Sequence, residues 1–145
     1  MMVKKMISST GKDNLKTRWR RAYDLEESGE LDMALELREE LHHQFPHDKM
    51  VSLVLARSYS LAKHFGKAEK LLKNIVHEYP EWKLASLHLF HFYWDDNNVL
   101  GVDRKDYALE EMKRFQAVSH CEDYIEICRE INEKYRGTTS CGKDE

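Results

Sequence analysis

Alanine and proline recur in this chain at a fixed interval of 34 residues. The matched pairs are Ala22 with Ala56, Ala34 with Ala68, and Pro46 with Pro80. An interval of this length is typical of proteins that stack one helical hairpin on the next. Because a single hairpin cannot bury its apolar face alone, the interval predicts several hairpins packed in series.

The composition favours helices and limits the classes of partner. Of 145 residues, 41% are hydrophobic and 34% are charged, and only six Gly and two Pro interrupt the chain. These proportions are typical of long helices rather than of a loop-rich or β-rich fold. The formal net charge of −3 is too close to zero to indicate a nucleic-acid partner for the whole molecule. We therefore expect an all-α fold.

Apolar residues at helical spacing divide the chain into segments. The first helix is predicted from about Leu15 to a stop at Ser28 and Gly29, where glycine supplies the left-handed conformation of a helix end. The second is predicted from Leu31 to Pro46, because proline disfavours helical geometry in the residue before it. Further helices are predicted from Met50 to Leu61, from Ala68 to Tyr79, from about Glu81 to Trp94, over Ala108 to Phe115, and from about Glu122 to Tyr135.

The third hairpin departs from the regular interval. Tyr59 and Ala68 are nine residues apart, whereas Tyr93 and Ala108 are fifteen apart, so six extra residues fall after Tyr93. The last helix is predicted to cover the end of the stack, which repeat proteins need for solubility. We expect stacked antiparallel helical hairpins, about three repeats followed by a C-terminal capping helix.

The two ends of the chain differ from the segment between them. Residues 1–13 are predicted to be a flexible basic arm, residues 14–136 the helical repeat domain, and residues 137–145 a disordered tail. No apolar run is long enough for a membrane span or a secretory signal, which favours a cytoplasmic protein. The three cysteines have no metal-pair spacing and are predicted to be reduced.

Several residues within this pattern match a known family. The run from Gly29 to Ala34 resembles the start of the second helix in tetratricopeptide repeat (TPR) proteins, and Ala56 followed by Tyr59 resembles their first helix. Over about residues 15–135 the chain is similar to this family, which implies a right-handed superhelix of hairpins. The chain also departs from the family pattern. The tryptophan and glycine of the family's first helix are absent, Arg38 stands in place of an apolar residue, Phe90 in place of a small one, and His120 in place of a proline.

The resemblance also implies a ligand groove on the inner faces of the first helices. The predicted partner-binding residues are Trp19, Tyr23, Glu26, Leu53, Arg57, Leu87, His91 and Trp94, and further matching positions are Lys16, Glu27, Met50, Ser60, Leu61, Leu84 and Asp95. The predicted function is a non-catalytic protein–protein interaction module, either an adaptor or a protein that sequesters one partner. Its ligand is expected to be a helix or extended peptide with apolar anchors, and with a basic residue facing Glu26 and Glu27.

Two other uses of the arm and the groove are open from the sequence. In one, the chain's own arm fills the groove through Val3, Met6 and Ile7. In the other, the basic arm contacts nucleic acid, although it lacks the interleaved aromatic residues that would stack on bases. We expect a protein or peptide partner rather than nucleic acid or a membrane, and a homodimer is left open.

A metal-binding enzyme or sensor is the alternative from a different class. His88, His91 and Asp95 lie on adjoining turns of one predicted helix face, and such side chains bind divalent metal ions. His120 next to Cys121 has the residue types of a thiolate–imidazole pair, but sequence neighbours rarely face each other on a helix. Because no phosphate-binding glycine loop or nucleophile motif is present, we predict neither enzyme activity nor a cofactor.

Overall fold

The computed structural model describes residues 11–95 and 104–134 of the chain. The described residues form α-helices and no strand, so the all-α prediction is confirmed for this part of the chain. The helices are α1 (Gly11–Glu27), α2 (Leu31–Gln44), α3 (Lys49–Leu61), α4 (Phe65–Glu78), α5 (Lys83–Trp94), α6 (Lys105–Val118) and α7 (Glu122–Lys134). Most of the predicted basic arm and the whole predicted tail lie outside the described residues.

The helix boundaries follow the predicted helix stops closely. Pro46 and Pro80 each lie just beyond a helix end, and α7 begins at the predicted Glu122. The first helix begins at Gly11, four residues before the predicted Leu15. The connection from α5 to α6 is longer than the three-residue connection from α1 to α2, as the extra residues after Tyr93 predict. Residues 96–103 of this connection lie outside the described part.

Two helix ends 34 residues apart share one backbone geometry but differ in residue type. At the end of α1, Gly29 has a φ of 87°, and the Glu30 N–H donates to the Leu25 carbonyl at 2.8 Å. At the end of α3, Lys63 has a φ of 66°, and the His64 N–H donates to the Tyr59 carbonyl at 2.8 Å. This is the Schellman arrangement, whose left-handed position favours glycine. Lys63 therefore adopts it with strain that Gly29 does not have.

The chain divides into two compact units, Met1–Leu72 (unit 1) and Lys73–Glu145 (unit 2), and the division falls within α4. In unit 1, α1 packs on α2 and α2 packs on α3. Arg18 in the middle of α1 donates to Glu40 at 2.7 Å, whereas Glu26 near the end of α1 accepts from Arg38, which comes earlier in α2, so these helices are antiparallel. The Ser52 hydroxyl lies 3.2 Å from His42 Nδ1, which makes α2 and α3 antiparallel too. As a result, α1 and α3 run in the same direction.

Unit 2 has the same order of helix directions. The Lys105 ammonium at the start of α6 donates to the Trp94 carbonyl at the end of α5 at 2.8 Å, so α5 and α6 are antiparallel. At the starts of α5 and α7, Lys83 Nζ lies 3.2 Å from Asp123 Oδ2, so these two helices run in the same direction. In each unit, the last complete helix therefore runs in the same direction as the first complete helix.

The alanines of the 34-residue interval are buried between the helices. Ala22, Ala56 and Ala68 have no exposed surface, and Ala34 is 1% exposed. Ala108, which resumes the pattern after the longer connection, is also fully buried. A methyl group at these positions lets neighbouring helices approach closely, so the repeated alanines reflect helix contact.

The cysteines differ from one another. Cys121 is a free cysteine and is 2% exposed. Cys128 is also buried, at 5% exposed, and its Sγ lies 3.1 Å from the Met112 sulfur. Cys141 lies outside the described residues. Cys121, directly before α7, and Cys128, within α7, are both buried, which agrees with a role in packing.

We predict opposite effects on stability from single substitutions at Gly29 and Lys63, the two left-handed helix ends. Gly29→Ala should lower the free energy of unfolding by about 1 kcal/mol, because no atom lies within 4 Å of the added methyl group and only the backbone conformation opposes it. Lys63→Gly should raise the free energy of unfolding by about 0.5 kcal/mol. Urea denaturation followed by circular dichroism measures both.

Gly66→Ala is the matched control for these variants. Gly66 lies inside α4, where its added methyl group also meets no atom within 4 Å. Alanine should stabilise this position by up to about 1 kcal/mol, because it lowers the entropy of the unfolded chain. A loss of stability at Gly66 equal to that at Gly29 would contradict the assignment of strain to the left-handed position.

Candidate functional site

The residues predicted to bind a partner lie on three helices. Trp19, Tyr23 and Glu26 lie on α1, Leu53 and Arg57 on α3, and Leu87, His91 and Trp94 on α5. Helices α1 and α3 belong to unit 1, and α5 belongs to unit 2. Some of these side chains are buried, some are covered by neighbours, and some are exposed.

Glu26 is buried, and its carboxylate accepts hydrogen bonds from two other helices. Its side chain is only 6% exposed. Arg38 on α2 donates from Nε at 3.0 Å and from Nη2 at 3.1 Å, one bond to each carboxylate oxygen. The Ser58 hydroxyl on α3 donates at 2.5 Å. Glu26, Arg38 and Ser58, here called the Glu26 cluster, therefore join α1, α2 and α3 through charge-assisted hydrogen bonds.

The Glu26 cluster holds its carboxyl in the ionised state. Burial by itself raises the pKa of Glu26, but the hydrogen bonds from Arg38 and Ser58 and the positive charges of Arg38 and Arg57 outweigh burial and hold the pKa below its usual value. The cluster gives a structural reason for an arginine at position 38, where the resemblance in sequence predicts an apolar residue. Arg38 is 3% exposed, and its charge is matched by Glu26.

Two of the predicted partner-binding residues of unit 1 are covered by neighbours, Trp19 in part and Leu53 almost completely. The Arg38 guanidinium carbon lies 5.3 Å from the centroid of the Trp19 ring, a cation–π contact that occupies the half-buried indole. Leu53 is 2% exposed and belongs to the core. Trp19 therefore packs over the Glu26 cluster, and Leu53 packs inside unit 1.

Trp94 in unit 2 is also engaged by neighbouring side chains. Phe90 stacks on it with ring centroids 5.6 Å apart and an angle of 12° between the planes. Lys105 Nζ lies 4.8 Å from a Trp94 ring centroid, in addition to its hydrogen bond to the Trp94 carbonyl. Leu87 on the same helix is half-buried. Trp94 therefore anchors the end of α5 to the start of α6.

Three of the predicted residues remain exposed, and they occupy equivalent positions. Tyr23 is 48% exposed, the Arg57 side chain is 50% exposed, and His91 is also exposed. They are spaced by 34 residues, on α1, α3 and α5. Arg57 Nη1 lies 3.9 Å from a Glu26 oxygen, at the limit of an ion pair. The exposed side chains thus follow the same interval as the buried alanines.

On α1 and α3, seven exposed residues and the half-buried Val54 form two stripes with equal spacing. The residues are Lys16, Arg20, Tyr23 and Glu27 on α1, and Met50, Val54, Arg57 and Leu61 on α3. These eight residues are called the first-helix face. Positions i, i+4, i+7 and i+11 follow one side of an α-helix, and the Glu26–Ser58 hydrogen bond places the two parallel helices side by side. Arg20 and Val54 are members that the sequence prediction did not include.

Unit 2 contains a second buried carboxylate that the sequence prediction missed. Glu111 on α6 is 7% exposed and accepts from the Ser86 hydroxyl at 2.6 Å and from Arg114 Nε at 2.9 Å. The Tyr124 hydroxyl on α7 lies 2.7 Å from the Ser86 hydroxyl. Burial raises the pKa of Tyr124, which keeps its phenol protonated. Glu111, Ser86, Arg114 and Tyr124, here called the Glu111 cluster, join α5, α6 and α7.

The metal and thiol hypotheses find no support in the described residues. In residues 11–95 and 104–134, no three or more His, Cys, Asp or Glu side chains are grouped so that they could hold a metal ion, so His88, His91 and Asp95 do not form the predicted trio. The His120 ring lies 2.9 Å from Glu122, while the Cys121 thiol is buried. A buried thiol is inaccessible to a substrate, which argues against a His120–Cys121 pair.

Comparison with known proteins finds no family model, curated protein or solved structure that matches this chain. The resemblance to TPR proteins stays an expectation from the sequence, based on the 34-residue interval and the residues named with it. Among the helices of the described segments, none is both long enough and apolar enough to cross a membrane.

We predict that Glu26→Gln destabilises unit 1 strongly. The substitution leaves the buried Arg38 guanidinium without its counter-charge, which should lower the free energy of unfolding by about 3 kcal/mol. Glu27→Gln is the matched control, because Glu27 is exposed and its substitution should change stability by less than about 0.5 kcal/mol. Urea denaturation measures both variants, and equal losses would contradict the role assigned to the cluster.

The stability contributed by Glu26 should depend on pH. Because folding lowers its pKa, the unfolded chain binds this proton more tightly, and protonation favours unfolding. The contribution is present above the ordinary glutamate pKa of about 4.3 and is lost as the pH falls through the lowered pKa. Between about pH 6 and about pH 3, the free energy of unfolding should fall less steeply in Glu26→Gln than in the wild type. Parallel curves would contradict this prediction.

Proposed function

We propose that this chain is a non-catalytic interaction module, and that its first-helix face binds a peptide or helical segment of another protein. The observation that carries the proposal is the abrupt change in exposure at neighbouring positions of α1 and α3. Ala22 and Ala56 have no exposed surface, whereas Tyr23 and Arg57, the residues directly after them, are about half exposed. Each helix therefore has one side fixed by packing and an adjoining side open to a partner.

The proposal includes a TPR-like stack of hairpins. Within each unit, a hairpin of antiparallel helices is followed by a helix parallel to its first member, which is the helix order that stacked hairpins require. This order supports the TPR resemblance but is also compatible with other helical repeats. The right-handed superhelix of the TPR family is part of the proposal for this reason.

The side chains of the first-helix face suit a peptide ligand. Tyr23, Met50 and Leu61 are 48%, 39% and 43% exposed, so three large apolar side chains lie on one face. Tyrosine and arginine anchor many interfaces, since they bury a large area with few rotatable bonds or with several hydrogen bonds. Methionine adapts its shape to different apolar partners. A segment with apolar side chains on one side fits this surface.

A selected peptide tests the proposal. Random 16-residue peptides displayed on phage would be selected on the full-length chain, and their affinities measured by fluorescence anisotropy. Tyr23→Ala should weaken binding about tenfold, because it removes the central aromatic side chain of the face. Tyr107→Ala is the matched control, since Tyr107 is 49% exposed but lies on α6, and it should leave the affinity within about twofold.

A second matched pair uses methionine. Met50→Ala on the face should weaken binding, whereas Met33→Ala on α2, where the side chain is 49% exposed, should not. Circular dichroism shows whether each variant retains its helices. The proposal fails if no peptide binds above background, or if the variants on the face and the control variants weaken binding equally.

A further inference from the structure

We infer that the segment bound by the first-helix face is acidic as well as amphipathic. This inference depends on the proposed function and specifies the chemistry of the partner. It reverses the expectation from the sequence, in which Glu26 and Glu27 together attract a basic residue of the ligand.

The burial of Glu26 changes the charge of the face. Glu26 lies on the same helix as the exposed stripe, but its carboxylate is inside unit 1, and both of its oxygens accept hydrogen bonds from Arg38. Because Arg38 is buried with it, the pair contributes no net charge to the surface. Glu27 is then the only carboxylate among the eight residues of the face, against the cations Lys16, Arg20 and Arg57.

The three cations are available to a ligand to different extents. In the described part of the chain, neither Lys16 nor Arg20 has an ion pair, and both are exposed. Arg57 is half exposed, and its contact with Glu26 is long at 3.9 Å. By contrast, the Arg18 side chain turns toward α2, where it pairs with Glu40 at 2.7 Å. Arg18 is therefore not part of the face.

The charges and the apolar side chains are distributed unevenly along the face. Lys16 and Arg20 lie one turn apart in the first half of the α1 stripe, and Glu27 ends it. From Lys16 to Glu27 the helix rises about 16 Å, at about 1.5 Å per residue. A bound segment would place its carboxylates near Lys16 and Arg20 and near Arg57. Its apolar side chains would contact Tyr23, Met50 and Leu61.

Charge also favours an acidic peptide over two other possible occupants of the face, residues 1–10 of this chain and a nucleic acid. Residues 1–10 contain Lys4 and Lys5 and no Asp or Glu, so this segment has the same sign as the face. A nucleic acid would satisfy the cations, but Met50 and Leu61 offer no hydrogen bonds to bases or phosphates. An acidic peptide with apolar side chains satisfies both the cations and the apolar residues.

The same peptide selection tests this inference. The selected peptides should be rich in Asp and Glu next to apolar residues, and their affinity should fall as NaCl rises from about 50 mM to about 500 mM. Arg57→Gln should weaken binding about tenfold, and Lys16→Glu combined with Arg20→Glu should weaken it further. Arg129→Gln is the matched control: its side chain is 58% exposed on α7, and it should leave the affinity within about twofold.

The outcomes separate this inference from the proposed function. If peptides bind and depend on Tyr23, but are basic or neutral and insensitive to Arg57→Gln, the inference is wrong while the proposed function stands. If no peptide binds, both are wrong. The inference is also overturned if a synthetic peptide of residues 1–10 or a single-stranded dT20 displaces the selected peptides at equal concentration. Sedimentation showing a dimer that Lys16→Glu and Arg20→Glu together dissociate would likewise overturn it, because the occupant would be a second copy.

Discussion

The bidentate contact between Arg38 and Glu26 is the constraint on which unit 1 depends. Removing a carboxylate and a guanidinium from water is costly, and a buried pair gains little over apolar residues of similar volume. Its geometry is demanding, however, because both carboxylate oxygens and the Ser58 hydroxyl must meet at one place. The contact therefore fixes how α1, α2 and α3 are positioned relative to one another. The Glu111 cluster has the same combination of carboxylate, arginine and serine in unit 2.

The Glu26 cluster also determines which charges reach the surface. From the sequence alone, Glu26, Glu27 and Glu30 suggest that this end of α1 is acidic. Arg38 neutralises the charge of Glu26 inside unit 1. On the first-helix face, the cations Lys16, Arg20 and Arg57 then outnumber the single carboxylate, Glu27. A structural ion pair inside the unit thus changes the electrostatic complementarity expected of a partner outside it. The stability and the proposed specificity of unit 1 both depend on this pair.

The sequence predicted the features that local chemistry controls. The alanine interval, the proline stops and the left-handed Gly29 predicted the hairpins because each acts within a few residues of the chain. The state of Trp19 and Trp94 could not be predicted, since an aromatic residue at a groove position is open or covered depending on residues from other helices. Arg38 covers the first, and Phe90 and Lys105 contact the second. The Glu111 cluster was missed because helical periodicity does not mark a buried carboxylate that bonds Ser86 on another helix, nor the contact of Ser86 with Tyr124 on a third.

The repeats agree where helices touch and differ where side chains are exposed. Ala22 and Ala56 are identical and fully buried because larger side chains would separate the helices that meet there. One residue further along, tyrosine in α1 is replaced by arginine in α3, and both are about half exposed. Packing does not restrict the choice at such a position, so its chemistry is free to serve a ligand. A partner that recognised only the repeated geometry would bind many helical arrays, and selectivity must therefore come from the unequal residues of the first-helix face.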